Sequence, residues 1–198
     1  MTDFTAVKQN LEGRGYRVSV FSTAAEAAAY LNGAIDGTTV GFGGSGTLKD
    51  MGLFELLEAH NTVTWHWVQE AAAARRAAMD TEVYLCSANA LAETGEIVNI
   101  DGAGNRVAST LFGHRKIYFV VGFNKLCPTY DDAVFRARNV AAPLRARQLG
   151  AKTPCAIHAD HCYDCKSPGR ICRGMVTHWG PMMGMEAEVV LVDEALGN

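Results

Sequence analysis

The 198 residues carry 18 basic and 21 acidic side chains, a net charge of −3, with 48% hydrophobic and 20% charged residues. That balance excludes a disordered, collagen-like or coiled-coil chain, and it leaves no basic surplus of the kind that binds nucleic acid. The length suits a single domain over 1–198, large enough to bury a core without disulfide staples.

Phe4, Val7 and Leu11 fall on one helical face within Thr2–Glu12, which Gly13 and Gly15 end. Tyr16–Phe21 reads as a strand. Thr23-x-x-Glu26 is a capping box that opens an Ala-rich helix to Leu31. Thr38–Phe42 is a short strand that runs into Gly43-Gly44-Ser45-Gly46-Thr47, and a helix follows over Leu48–Ala59. Thr62–Trp65 is a strand, Gln69–Met79 a helix, and Glu82–Ser87 a buried type of strand. Glu96–Ile100 and Ile117–Val121 are two more. Thr129-x-x-Asp132 caps a long helix to Leu149, kinked by Pro143, with Arg136, Arg138, Arg145 and Arg147 mostly on its outer side. Glu188–Val192 is the last strand. This alternation with short connections predicts an α/β fold, a mostly parallel sheet with helices on both faces.

No apolar run approaches the roughly 20 residues of a spanning helix, and Met1-Thr-Asp-Phe-Thr has neither the basic nor the apolar part of a secretory signal. The expectation is a cytoplasmic chain without a membrane span. Six cysteines in a reducing compartment argue against a disulfide framework.

Three segments carry candidate chemistry. The first is Gly41-Phe-Gly43-Gly44-Ser45-Gly46-Thr47, placed between a strand and a helix. It suits either an anion cradle of backbone N–H groups or a tight strand–helix turn. It is not a dinucleotide site, since the next strand ends in Trp65-His66-Trp67 without a carboxylate. It is not a Walker loop either, because Thr47 stands where Lys belongs. The second segment runs from Ser87 to Arg106 after a buried strand. Asn89, Glu93, Thr94 and Gly95 are its substrate-binding candidates, while Asp101-Gly102-Ala-Gly104-Asn105 supplies the chemistry of a hairpin turn. Ser45 and Thr47 are expected to line one cleft with Glu93 and Thr94, and Asn124 and Lys125, which follow another strand, to share it, with Arg106 and Lys49 as further cations.

The third segment is the Cys-rich loop at 152–174. Cys155, Cys162, Cys165 and Cys172 fall within 18 residues and include a C-x-x-C pair. Four such thiolates suit tetrahedral zinc or a four-iron cluster, and the spacing does not choose between them. Arg145, Arg147, Lys152, Lys166, Arg170 and Arg173, set against Asp160 and Asp164, would offset a tetrathiolate's charge. Cys86, inside an apolar strand, reads as a core residue. Cys127, in a loop before Pro128, could approach such a centre.

Val40-Gly-Phe-Gly-Gly-Ser-Gly-Thr47, Ala92-Glu-Thr-Gly-Glu-Ile-Val98 and Val120-Val-Gly-Phe-Asn-Lys125 together resemble the LUD-domain family of lactate utilization proteins, over nearly the whole chain. The resemblance implies a fold similar to ribose-5-phosphate isomerases and CoA transferases. It also implies membership in a bacterial system that oxidises lactate alongside iron–sulfur oxidoreductase partners. The resulting expectation is a component of a lactate or 2-hydroxyacid utilization system. It would bind a small anionic substrate at Gly43, Gly44, Ser45, Thr47, Asn89, Thr94, Gly95, Asn124 and Lys125, and a [4Fe–4S] cluster or zinc at the four cysteines. It could also form a homo-oligomer. The alternatives are an acyl or CoA transferase or sugar-phosphate isomerase using Glu93 or Glu96 as nucleophile or base, or a metal-stapled interaction protein.

Overall fold

Strands with apolar residues on both sides need cover on both faces, and the helices of this chain provide it. The computed structural model describes residues 2–198. In chain order the elements are α1 (Thr5–Gly13), β1 (Arg17–Phe21), α2 (Ala24–Ala34), β2 (Thr39–Phe42), α3 (Gly46–Asp50), α4 (Leu53–Glu58), β3 (Thr62–Trp65), α5 (Ala71–Ala77), β4 (Val83–Cys86), β5 (Ala90–Ala92) and β6 (Ile97–Asp101). There follow α6 (Asn105–Ser109), β7 (Lys116–Gly122), β8 (Leu126–Cys127), α7 (Tyr130–Arg136), α8 (Ala142–Gln148), α9 (Pro154–His158), β9 (Gly174–His178) and β10 (Glu186–Val192).

Six strands form an all-parallel sheet in the order β1-β10-β7-β4-β2-β3. Its central strands divide their side chains by alternation. Tyr118 and Val120 of β7, with Val190 and Val192 of β10, enter one core together with Leu31, Phe42, Leu53 and Leu57. Ile117, Phe119 and Val121, with Val189 and Leu191, enter the other, against Val7 and Leu11 of α1. The expected α/β class with a parallel sheet is what the chain forms. A second, four-stranded sheet in the order β8-β5-β6-β9 packs Ala90, Ala92, Val98 and Cys127 against Ala133 and Ala137. Three of its strands, β5, β8 and β9, have two to five residues and no strong alternation, so the sequence does not reveal them.

The capping box at α2 forms as expected. Glu26 N–H donates to Thr23 Oγ1 at 3.2 Å, and the Glu26 carboxylate accepts from Thr23 N–H at 3.1 Å. Thr23→Ala should therefore cost about 1 kcal/mol, read from chemical denaturation midpoints. An unchanged midpoint would mean that tertiary packing alone holds α2 in place.

Two helices differ from expectation. The predicted Leu48–Ala59 helix is split into α3 and α4 because Gly52 adopts φ +61°, a left-handed conformation that glycine takes without strain. The helix from Thr129 is not simply kinked at Pro143. One wider π-turn, Ala137–Ala141, joins α7 to α8 immediately before the proline, which has no N–H to donate. Among the described residues no helix is long and apolar enough to cross a membrane.

Candidate functional site

Parallel strands bring their ends to one edge, and polar side chains gather there. Lys125 follows β7 through a short 3-10 turn and is buried. Its Nζ donates to Thr47 Oγ1 and to Ser87 Oγ, each at 2.8 Å. Two of its three N–H groups are thus used, both on neutral hydroxyls, and among the described residues no carboxylate lies within ion-pair distance. Burial, with the Arg136 and Arg106 guanidiniums nearby, pushes the Lys125 ammonium down to about 7.

The arginines surround this amine and hold the strand-end loops. Arg136 Nε donates to Asn124 O at 3.0 Å, and its Nη1 bonds Asn89 O. Arg106 Nη2 donates to Ile100 O at 2.7 Å and to Asn89 Oδ1 at 3.3 Å, and its Nη1 bonds Asn99 Oδ1. The sequence pattern puts Arg136 on the outer side of its helix. It instead turns inward, and only long-range contacts show this. Ser87 is not among the sequence candidates, because a serine at a strand end carries no motif of its own.

The glycine loop behaves largely as a turn. Ser45 is the N-cap of α3, its Oγ accepting from Leu48 N–H at 3.3 Å, and Gly43 N–H donates to Leu85 O at 2.9 Å. Gly43 and Gly44 give room to side chains: a Cβ on Gly43 would stand 2.8 Å from Arg106 Cγ, and one on Gly44 would stand 3.1 Å from Trp67 Nε1. Thr47 is the loop residue that reaches the cluster. Thr47, Asn89, Asn124, Lys125 and Arg106 therefore meet at one edge, whereas Lys49 remains exposed.

Glu93, Thr94, Gly95 and Glu96 lie elsewhere. They are the turn of the β5–β6 hairpin, closed by Ala92 N–H to Glu96 O at 2.9 Å, with Gly95 at φ +97°. Asn10 Nδ2 donates to Glu93 O and Arg14 Nε to Thr94 O, both at 2.7 Å, and Arg14 pairs with the Glu96 carboxylate. Arg14 precedes β1, so this turn is stapled to the edge where the parallel strands begin, opposite the edge of Lys125. The expectation that it shares a cleft with Ser45 and Thr47 is corrected on that ground. Glu93 and Glu96 thus lie away from the edge that holds Lys125. The segment Asp101–Asn105, expected to be the hairpin turn, instead caps α6: Asp101 Oδ1 accepts from Gly104 N–H and Oδ2 from Val107 N–H, each at 3.2 Å.

Cys155, Cys162, Cys165 and Cys172 are free thiols, and all four line one cavity with Arg138, Pro143 and Arg170. Arg170 ties the loop together through Cys165 O at 2.8 Å and Cys172 O at 2.9 Å, while Asn139 Oδ1, from the π-turn, accepts from Cys162 N–H at 3.1 Å. Ala159 and Asp164, both in this loop, are the non-glycine residues with positive φ among the described residues, at +56° and +44°. Such strain persists where the surroundings fix the backbone. Among the described residues no three His, Cys, Asp or Glu side chains are arranged to hold one metal ion. Cys127 does not join them; it is buried under α7 in the small sheet. Burial pushes the Cys86 thiol up to about 12, as suits an inert core residue.

No curated protein matches this chain. A solved structure, that of a DUF162 family protein from Deinococcus radiodurans, superimposes with a TM-score of 0.54 at 14% identity, covering 97% of this chain and 99% of that one, and shows a shared fold. The family model described as the LUD domain matches residues 5–192. With the parallel sheet and its strand-end site described, the chain belongs to the LUD-domain family, the family associated with lactate utilization.

Proposed function

We propose that this chain is an electron-transferring component of a lactate or 2-hydroxyacid utilization system, with a [4Fe–4S] cluster on its cysteine loop and a small carboxylate bound beside Lys125. The observation that supports the reading is that all four cysteines of the loop front a single cavity as free thiols. Four thiolates on one cavity suit a four-iron cluster, with tetrahedral zinc as the second reading. Arg138 and Arg170 at the rim offset thiolate charge, and Asp164 N–H donates to Cys162 Sγ at 3.4 Å, a contact that tunes a ligating sulfur. A cluster held there would pass single electrons to iron–sulfur oxidoreductase partners.

Lys125 supplies the second half of the reading. A buried amine near Arg136 and Arg106, with no carboxylate in ion-pair distance and Asp50 acting on it only from farther off, is an incomplete ion pair, and an anionic ligand completes it. A lactate carboxylate has the right charge and size. Iron and acid-labile sulfide measured on anaerobically purified protein, with visible absorption, test the proposal. About four irons per chain, bleached by dithionite, is the expected result. One zinc and no sulfide would replace the electron carrier with a metal-stapled docking protein.

A further inference from the structure

Beyond β10 the chain turns back across the strand ends. Asp193 N–H donates to Phe21 O at 3.0 Å, and the segment Glu194–Asn198 then lies over the site. It presses closely there: a Cβ on Gly122 would stand 2.5 Å from Glu194 O. Leu196 N–H donates to Asn124 Oδ1 at 3.1 Å, and Leu196 C=O accepts from Thr47 Oγ1 at 3.1 Å. Gly197 C=O accepts from Asn124 Nδ2 at 3.4 Å. Gly197 itself, at φ +60°, fits so tightly that a Cβ would stand 2.8 Å from Thr47 Oγ1 and 3.4 Å from Lys125 Nζ. The Leu196 side chain anchors the segment in the core, and Asn198 clamps it with two hydrogen bonds to Gln148, at 2.9 and 3.0 Å.

We propose that Glu194–Asn198 is a displaceable strap, and that the backbone carbonyls of Leu196 and Gly197 occupy the positions of the ligand's carboxylate oxygens. This rests on the reading of the Lys125 site as a carboxylate site. A peptide carbonyl oxygen is a partial anion that accepts the same hydrogen bonds as a carboxylate but brings no full charge. It satisfies Thr47 and Asn124 and leaves the Lys125 amine without a counter-charge. A carboxylate that displaced it would use the same donors and add the missing charge. While the strap is seated the site is closed, so the apparent affinity is the intrinsic one reduced by the open fraction.

Two ways of loosening the strap test this on the full chain: Leu196→Ala, which removes the anchor, and Gln148→Ala with Asn198→Ala, which removes the clamp. The first readout is labelling of Lys125 by trinitrobenzenesulfonate at pH 8, located by peptide mass. The second is L-lactate affinity by calorimetry. Labelling should rise by up to about tenfold, and the lactate Kd should fall by a similar factor, the ceiling for an open fraction that starts at about one-tenth. A wall of the site would behave oppositely: labelling rises while lactate binds more weakly, and that result overturns the proposal. Unchanged labelling in both variants overturns it as well, because the segment is then no gate. Increased labelling with no lactate binding in any form of the protein would support the gate and overturn the carboxylate reading.

Discussion

Glu188→Ala is expected to destabilise the fold by about 3–5 kcal/mol. Glu188 lies near the start of β10, between β1 and β7 in the middle of the sheet, and is fully buried. Lys116 Nζ donates to its Oε2 at 2.8 Å, Ser19 Oγ to Oε1 at 2.8 Å and Tyr30 Oη to Oε1 at 2.6 Å. Burial alone would push this carboxyl up. The hydrogen bonds from Lys116, Tyr30 and Ser19 outweigh burial and hold it below its ordinary value. Burial opposes the Lys116 ammonium as well, yet Glu188 and the Tyr118 ring, 4.3 Å from Nζ, hold it above its ordinary value. Truncating the acid leaves a buried cation facing two unpaired hydroxyls, and that is the source of the cost. Glu188→Leu combined with Lys116→Met removes both charges and should recover most of the loss. The pH dependence has a definite sign. The carboxyl's contribution is complete above about pH 4.3 and is lost as pH falls through its lowered folded pKa. The lysine's is complete below about pH 10.4 and is lost as pH rises through its raised one. The gap between wild type and Glu188→Ala should therefore close as pH falls through the carboxyl's lowered pKa, and also narrow at alkaline pH, where the unpaired Lys116 of the variant sheds its proton. A gap that does not shrink in acid would contradict this assignment.

Glu188 also shows how far the sequence can be read. Its strand is legible, because Val189–Val192 is an apolar run with a turn after it; the meaning of the acid is not, because its partners lie 72, 158 and 169 residues away. The same division holds across the chain. Local signals report truly: the Thr23 and Thr129 caps, the strands of the large sheet and the helix-breaking glycines. The gathering of Thr47, Asn89, Asn124 and Lys125 at one edge is also legible, since each follows a strand and parallel strands share an edge. The reading fails at Glu93–Glu96 because β5 reverses direction only three residues after β4 ends. That short reversal carries the next turn to the opposite edge, and three residues of β5 are too few to show a period. Arg14, which fixes that turn, is 80 residues from Thr94 in sequence, so no motif joins them.

Lys125→Met should abolish carboxylate binding and at the same time stabilise the ligand-free protein, most strongly at low pH. The two effects share one cause. In the unfolded chain the amine titrates near its ordinary value, about 10.4, whereas in the fold it titrates at about 7. Between those values the unfolded state binds more protons, so stability gained through this residue rises with pH from about 7 to about 10. Below pH 7 the fold carries the buried charge at full cost, on the order of a few kcal/mol before solvent relaxation. Methionine of similar length removes that cost and gives up two hydrogen bonds to Thr47 and Ser87, worth about 1 kcal/mol each. The gain in melting temperature should thus be clear at pH 6 and vanish or reverse at pH 9. Ligand binding runs the other way in pH. A carboxylate needs the protonated amine, so wild-type affinity should be constant below about pH 7 and fall by up to tenfold per unit above it, with one proton taken up on binding. Calorimetry of L-lactate in buffers of different ionisation enthalpy measures that proton directly. Binding without proton uptake at pH 8, or undiminished binding to Lys125→Met, would place the carboxylate elsewhere on the molecule. If the outcomes hold, Lys125 is a residue the fold keeps at a loss until a ligand arrives, as expected of a site built for function rather than for stability.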